Sequence, residues 1–347
     1  MMRSRRRGKW RRKPVPISPQ SRSDRMTSPI IFAAAIIQSE TWFCLNAHGV
    51  AKYLLSRAVR DAGLKVVMTG EGSDEILGGY AHFRRDMLLY NSEGQDSEAV
   101  ARLLEELEQS NPASRGLLLP HGESLPLVGV RRLLGFLPSW METFAARSVK
   151  ARELLADNFL RDFGGHEPYH ALLSGLDVHG QLTGRSAVHQ SLYLWSKTML
   201  PGYILTMLGD RMEMAHSIEG RVPFLDHHVV ETIRSQPVSL KIRGMTEKYV
   251  LREAVRDVIT DTVYRRQKHP FMSPPATLNP KGKLHDLVQD RLRGRAFASI
   301  PFFDQRKVIG LLDRLAGMDE SARVANDQIL MFLTSACVLQ ERFQLAA

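Results

Sequence analysis

The chain has 347 residues, of which 44% are hydrophobic and 24% charged, the composition of a folded globular protein with room for one large domain or two smaller ones. Its two cysteines, Cys44 and Cys337, are too few for a disulfide framework or a cysteine-rich structural zinc site. Residues 1–30 carry ten Lys and Arg against one Asp, a net charge of +9, whereas the remainder carries 37 basic and 36 acidic residues, a net charge of +1. The basicity therefore lies in the amino-terminal tail, which argues against a nucleic-acid-binding body.

That tail, residues 1–29, is rich in Arg, Ser and Pro. With so few apolar side chains it cannot offset the entropy lost on ordering, and we predict that it is disordered. It is either an arm for nucleic acid or anionic membranes or a non-native start, and we favour the second interpretation. The apolar run 30–37 is too short to cross a bilayer and no longer run follows, so the sequence predicts a cytoplasmic protein without a membrane segment.

The first predicted elements form one α/β unit. Apolar spacing predicts a helix over 46–63, with Asn46 as its cap and Gly63 as its stop. The β-branched run 65–69 predicts a strand buried on both faces, and a helix follows over 76–90. This is the only strand that the pattern supports, so we expect its neighbours in the sheet to be missing from the chain.

The remainder of the chain is predicted to be mostly helical. The segment 91–111 becomes helical after a polar start, 112–130 is loop-like, and 131–175 suits two or three helices. Further helices are predicted at 186–209, 227–236, 246–260, 305–316 and 325–343. The fold class is therefore α/β, a partial parallel sheet followed by a mostly α-helical remainder, in one domain over 30–345.

The most informative segment joins the predicted strand to the next helix and reads GEGSDE over 70–75. A strand, a glycine-rich turn and a helix start present backbone N–H groups to an anion. Glu71, Asp74 and Glu75 would repel a bare phosphate, so a divalent cation or a polar substrate group must lie between them. The turn indicates a magnesium-nucleotide or activated-acyl site.

The string GEGSDEILGGY over 70–80 resembles the signature of the synthetase half of glutamine-hydrolysing asparagine synthetases. Two further blocks agree with that family in order: LPGYI with DRMEMAHSIEGRVPFLD over 200–226, and KYVLRE over 248–253 trailed by RRQKHPF over 265–271. The resemblance covers about residues 34–345, loosely over 91–185. It implies an adenine-nucleotide α-hydrolase-like (PP-loop ATPase) fold and a carbon–nitrogen ligase of the asparagine synthase type.

In that family ATP and aspartate meet at the carboxyl ends of parallel strands. The resemblance implies that the aspartate side chain attacks the α-phosphorus of ATP, giving β-aspartyl-AMP and pyrophosphate, and that ammonia then displaces AMP to form asparagine. ATP and Mg²⁺ are therefore the implied cofactors, and aspartate and ammonia the implied substrates.

Family positions carried over to this sequence imply a cofactor site in the same turn. Thr69, Gly70 and Gly72 would contact ATP. Asp74 would help to hold Mg²⁺ and the pyrophosphate.

Three further residues carry implied catalytic roles. Glu71 would lie at the adenylate and influence its formation or the attack of ammonia. Lys248 would neutralise the charge that develops on the α-phosphate, and Arg211 would pair with a substrate carboxylate. The block 210–226 has an equally weighted alternative interpretation, in which its apolar residues simply build core.

The family pattern has two parts that these 347 residues do not contain: a glutaminase domain that opens with a cysteine nucleophile, and an SGGxDS loop that grips pyrophosphate. We therefore expect an amino-terminally truncated synthetase domain. It is either a ligase without its glutaminase half, or an inactive fragment, or one chain of a split enzyme whose separate amino-terminal chain completes the sheet. A related enzyme that forms amides on an acid other than aspartate is a further alternative.

Two other motifs are set aside. The sequence HEPYH over 166–170 matches the zinc-protease pattern, which requires both histidines on one helix face. Pro168 instead predicts a helix start inside the motif. The sequence SGLD over 174–177 resembles a pyrophosphate loop but lacks its second glycine and follows no strand.

Overall fold

The computed structural model describes residues 28–41, 48–91, 96–111, 114, 117–268 and 275–345. The predicted disordered tail up to residue 27, Cys44, the predicted cap Asn46 and residues 269–271 lie outside this part of the chain.

The amino-terminal unit confirms the predicted order of helix, strand, turn and helix. Its elements are α1 (Pro29–Ser39), α2 (His48–Asp61), β1 (Val66–Met68), α3 (Ser73–Leu77) and α4 (Ala81–Tyr90). The single helix predicted over 76–90 is wrong, because the chain breaks after α3 where Gly78 adopts a left-handed conformation with φ of +69°.

The middle of the chain is helical, as predicted, with more and shorter helices than the pattern indicated. A helix does begin at Pro168, where the Glu167 side chain caps it. In chain order the elements are α5 (Ser97–Ser110), α6 (Val128–Leu134), α7 (Ser139–Arg152), α8 (Asp157–Phe163), α9 (Pro168–Ser174), α10 (Val178–Gln181), α11 (Ala187–Lys197), a π-helix (Leu200–Asp210) and α12 (Arg211–Met214).

The prediction that β1 stands alone in the chain is wrong. It pairs in parallel with β2 (Glu219–Arg221), with Val67 opposite Gly220. The segment Glu-Gly-Arg has no apolar alternation, so no pattern reveals it as a strand. Burial on both faces is also wrong, because Val66 and Met68 are 41% and 76% exposed. Among the described residues, β1 is paired along one edge only.

The helix predicted over 246–260 starts too early, because a small antiparallel hairpin precedes it. After α13 (His227–Arg234) and α14 (Val238–Lys241), β3 (Ile242–Arg243) pairs with β4 (Thr246–Glu247). The connection contains Gly244 with φ of +58°, the conformation that tight hairpin turns require. The helix itself, α15 (Tyr249–Ala254), begins only after β4.

After α16 (Asp261–Arg265), the carboxyl-terminal helices form a separate layer with α1. They are α17 (Lys283–Arg293), α18 (Arg295–Ala298), α19 (Gln305–Arg314) and α20 (Glu320–Phe343). Phe32 of α1 and Leu330 of α20 are fully buried in this apolar layer. A second apolar cluster, around Phe83, Trp140 and Trp195, lies beneath the turn after β1. The architecture is thus mostly helical α/β with a small parallel sheet.

Asp86 joins three helices in the second cluster. This buried carboxylate of α4 accepts hydrogen bonds from the Ser139 backbone N–H at 2.9 Å, from the Ser139 hydroxyl at 2.6 Å and from the Ser191 hydroxyl of α11 at 2.6 Å. Burial raises the pKa of Asp86 to about 6, although these hydrogen bonds oppose the shift. No helix in the described ranges is both long and apolar enough to cross a bilayer.

Substituting Asp86→Asn should remove a pH-dependent loss of stability. Because the pKa of Asp86 is higher in the folded chain than its usual 3.8, the folded state binds this proton more tightly, and that stabilisation is lost as the pH rises from 4 through 6. Urea unfolding followed by circular dichroism should show the wild type losing roughly 3 kcal/mol relative to the variant between pH 4 and pH 7. Parallel stability profiles for the two proteins would refute this assignment.

Candidate active site

A cavity of about 570 Å³ lies between the turn after β1 and the helices of the second apolar cluster. It brings together five of the seven residues predicted from the sequence. These are Thr69, Gly70, Glu71, Asp74 and Lys248.

Gly72 shapes the turn and does not line the cavity. Its φ of +92° lies in the region that favours glycine, and a Cβ atom would overlap the Leu225 side chain. The next residue, Ser73, donates a hydrogen bond from its hydroxyl to the Gly70 carbonyl at 2.8 Å. These contacts fix the backbone that carries Glu71 and Asp74.

Asp74 is held between two lysines. Its Oδ1 lies 2.7 Å from the Lys248 Nζ and its Oδ2 lies 3.0 Å from the Lys268 Nζ. The Lys248 ammonium also donates to the Ser73 hydroxyl at 3.0 Å. Only 12% of the Asp74 side chain is exposed, so these charges interact through a poorly screened medium. We call Asp74, Lys248 and Lys268 the lysine clamp.

Lys248 has an unusual backbone. It stands between β4 and α15 with φ of +51°, a conformation that costs a side-chain-bearing residue about 1–3 kcal/mol. Surrounding contacts must hold it there.

Glu247 provides those contacts. This buried carboxylate lies 3.7 Å from the Arg84 guanidinium and pairs with Arg252. Its Oε1 also accepts a hydrogen bond from the Lys268 backbone N–H at 2.9 Å. One buried carboxylate therefore fixes both chain segments that carry the clamp lysines.

Glu71 has one occupied and one unoccupied oxygen. Its Oε1 pairs with Lys52 of α2, whereas its buried Oε2 makes no hydrogen bond within the described residues. Burial alone would raise the pKa of Glu71, but hydrogen bonds from Lys52 and Thr69, together with the Lys52 charge, lower it below its usual value. Glu71 is thus an ionised carboxylate that lines the cavity and is held chiefly by Lys52.

The third carboxylate of the turn, Glu75, is buried. Burial raises the pKa of Glu75, although a 2.6 Å hydrogen bond from the Tyr80 hydroxyl opposes this shift. Glu75 contributes to the site through Tyr80, which also lines the cavity and packs against Trp195 with ring centroids 5.5 Å apart.

Part of the cavity lining is apolar. The side chains of Phe144, Trp195, Met199, Ile204 and Leu208 line it, and we call this wall the apolar chamber. Trp195 is 4% exposed and Ile204 is 9% exposed. The π-helix supplies Ile204 and Leu208, and π-helical turns are frequent at functional sites.

Three polar side chains stand beside the apolar chamber. The His48 Nδ1 lies 3.3 Å from the Tyr203 hydroxyl, and burial lowers the pKa of His48 to about 4. The Arg147 guanidinium lies 5.1 Å from the centre of the Phe144 ring, and burial lowers its pKa to about 10. Arg147 and Tyr203 also line a second cavity of about 550 Å³.

Arg211 is not brought to the cavity. Its guanidinium pairs at 2.7 Å with Glu40, at the end of α1, and both side chains are substantially exposed. Its role toward a substrate carboxylate remains a prediction.

Lys52 and Lys268 are site residues that sequence reasoning did not single out. Lys268 belongs to the segment RRQKHPF, which was recognised only as part of a family block. Lys52 gives no local signal, because a lysine on the polar side of an amphipathic helix is usually solvated.

Gly79 should tolerate no side chain, because a Cβ atom there would overlap both Asp74 Oδ1 and Lys248 Cε. Gly79→Ala is expected to lower the free energy of unfolding by about 1–3 kcal/mol. The control is Gly129→Ala in α6, where a Cβ meets nothing within 4 Å. Alanine should there be neutral or stabilising by up to about 1 kcal/mol. Equal effects of the two changes in urea unfolding would contradict the proposed crowding at the clamp.

The asparagine synthase family model matches residues 23–337. Among curated proteins, amidase chry2 of Gibberella zeae is 29% identical over 329 residues, covering 88% of this chain and 46% of that protein. Amidase chyE of Penicillium rubens is 33% identical over 274 residues, covering 75% and 39% respectively. Asparagine synthetase (glutamine-hydrolyzing) 1 of Bacillus subtilis is 31% identical over 213 residues, covering 60% and 30%.

The chain spans less than half the length of these curated relatives. The family match nevertheless covers most of its residues and includes the turn, β2 and the lysine-bearing segments. The predicted family is confirmed, and the chain belongs to the asparagine synthase family.

Proposed function

We propose that this chain is the acyl-activating part of an ATP-dependent, amide-forming carbon–nitrogen ligase. The observation that carries the proposal is the lysine clamp, which sets two ammonium groups beside a glycine-rich turn in one cavity. A substrate carboxylate would attack the α-phosphorus of ATP to give an acyl-AMP and pyrophosphate. A nitrogen nucleophile would then form the C–N bond as the C–O bond to AMP breaks.

The clamp suits a polyphosphate. The Lys248 and Lys268 ammoniums can neutralise the charge that builds up on the α-phosphate and on the departing pyrophosphate. The turn from Gly70 to Ser73 adds backbone N–H groups at the end of a strand. This arrangement favours an adenine-nucleotide α-hydrolase-like (PP-loop ATPase) site.

The residues present fit a magnesium ion that is bound chiefly by substrate. Within the described ranges, no three His, Cys, Asp or Glu side chains gather around one point, whereas Mg²⁺ commonly takes one or two carboxylates with phosphates and water. Asp74 is the protein ligand we propose. The ion would neutralise phosphate charge when bound.

Glu71 suits the second half-reaction. An attacking ammonia loses a proton as the C–N bond forms, and Glu71 is a carboxylate that lines the cavity. Lys52 holds the other oxygen and keeps the carboxylate ionised. We therefore propose that Glu71 orients the nucleophile and accepts its proton.

Membership of the family indicates the type of substrate but does not identify the acid. The resemblance implies aspartate and ammonia, with asparagine as product, and a cytoplasmic location. The relatives that are named amidases favour an amide product without specifying the acid.

A second candidate follows from β1, which is paired along one edge only within the described residues and whose Val66 and Met68 side chains are exposed. In this alternative the chain is inactive alone, and a separate polypeptide adds a strand to that edge.

Labelled pyrophosphate should enter ATP when the chain is supplied with Mg²⁺ and a panel of carboxylic acids that includes aspartate. Lys248→Met should lower this exchange at least 100-fold, because the α-phosphate charge would go unneutralised. The control is Lys283→Met, which changes an exposed lysine at the start of α17 and should leave exchange unchanged. Absence of exchange with every acid, at any protein concentration, would refute activity of this chain and favour the second candidate.

A further inference from the structure

The cavity lining has two parts that differ in chemistry. One part holds the lysine clamp and Glu71, where a carboxylate and a phosphate can react. The other part is the apolar chamber, whose five members are aromatic or aliphatic. An acid activated at the lysine clamp must place the rest of its structure somewhere in the remaining space.

Aspartate matches the apolar chamber poorly. Its ammonium would leave water, and burial of an unpaired charged group is costly. Among the described lining residues, all three carboxylates belong to the turn, at Glu71, Asp74 and Glu75. The ammonium of aspartate would therefore find no anion in the apolar chamber.

An aromatic or aliphatic body matches the same wall well. Trp195 packs against the Phe144 ring at 6.3 Å and against the Tyr80 ring at 5.5 Å, so the flat surfaces are held in place by one another. A ring entering between Phe144, Trp195 and Met199 would gain burial and ring or sulfur contacts. Arg147, over the outer ring Phe144, and Tyr203 are the polar residues beside this wall.

We infer that the acid activated at this site carries an apolar body of about the size of one aromatic ring, which the apolar chamber binds. This inference rests on the proposed ligase function and names the substrate class for it. Selection occurs at the chamber wall, and chemistry occurs at the lysine clamp.

Isothermal titration calorimetry of the full chain tests binding separately from catalysis. The probes are 3-phenylpropionate and aspartate, each titrated with Mg²⁺ and α,β-methylene-ATP and again without nucleotide. We expect 3-phenylpropionate to bind at least tenfold more tightly than aspartate in both conditions. Equal or weaker binding of 3-phenylpropionate would overturn the inference. Binding that is lost when the nucleotide is present would also overturn it, because the adenine base would then occupy the chamber.

Two matched variants locate the binding. Leu208→Trp fills the apolar chamber and should weaken 3-phenylpropionate binding at least tenfold, whereas Leu133→Trp changes an exposed residue of α6 and should not. Trp195→Phe should weaken binding more than Trp140→Phe, because both indoles are buried in the same cluster but only Trp195 lines the cavity. Unchanged affinity in both Leu208→Trp and Trp195→Phe would overturn the inference.

Pyrophosphate exchange with the same two acids separates failure of this inference from failure of the proposed function. Exchange supported by 3-phenylpropionate and not by aspartate agrees with both. Exchange supported by aspartate alone retains the ligase and overturns the apolar substrate. If neither acid supports exchange, the ligase proposal fails for this chain, and the calorimetry still decides what the chamber binds.

Discussion

The site depends on one buried carboxylate that is shared by two lysines. Asp74 joins the turn after β1 to Lys248 and Lys268, which lie far along the chain. A nearly buried charge of this kind needs its partners, because removing one side of such a pair typically costs 3–5 kcal/mol. The same three groups both close the fold around the cavity and supply its charge.

A second buried carboxylate, Glu247, supports the backbone of the segments that carry the clamp lysines. Glu247 contacts Arg84 and Arg252 and accepts the Lys268 backbone N–H, so the two lysine-bearing segments have one common support. The aromatic cluster forms another wall of the cavity, with the Arg147 guanidinium 5.1 Å from the centre of the Phe144 ring. The cavity is therefore bounded by an ionic frame and by packed rings.

The sequence pattern predicted those parts of the site that consecutive residues form. The turn 70–75 follows a short β-branched run and precedes a helix, so its geometry and its carboxylates could be recognised from consecutive residues. The strand β2 could not, because Glu-Gly-Arg is a strand only through its pairing with β1. Lys52 and Lys268 became visible as site residues only when folding placed them near Glu71 and Asp74. Arg211 is the opposite case. Its family block predicted a role in the site, but the folded chain places it beside Glu40 and away from the cavity.

The left-handed backbone at Lys248 sets backbone strain against charge pairing. Glycine or asparagine would accept φ of +51° more readily than lysine, yet neither carries an ammonium to Asp74. The strain costs about 1–3 kcal/mol, which is less than the typical loss when a nearly buried carboxylate is deprived of a partner. Directed evolution of this scaffold for thermostability would therefore retain the lysine at position 248, where selection for durability and selection for chemistry agree.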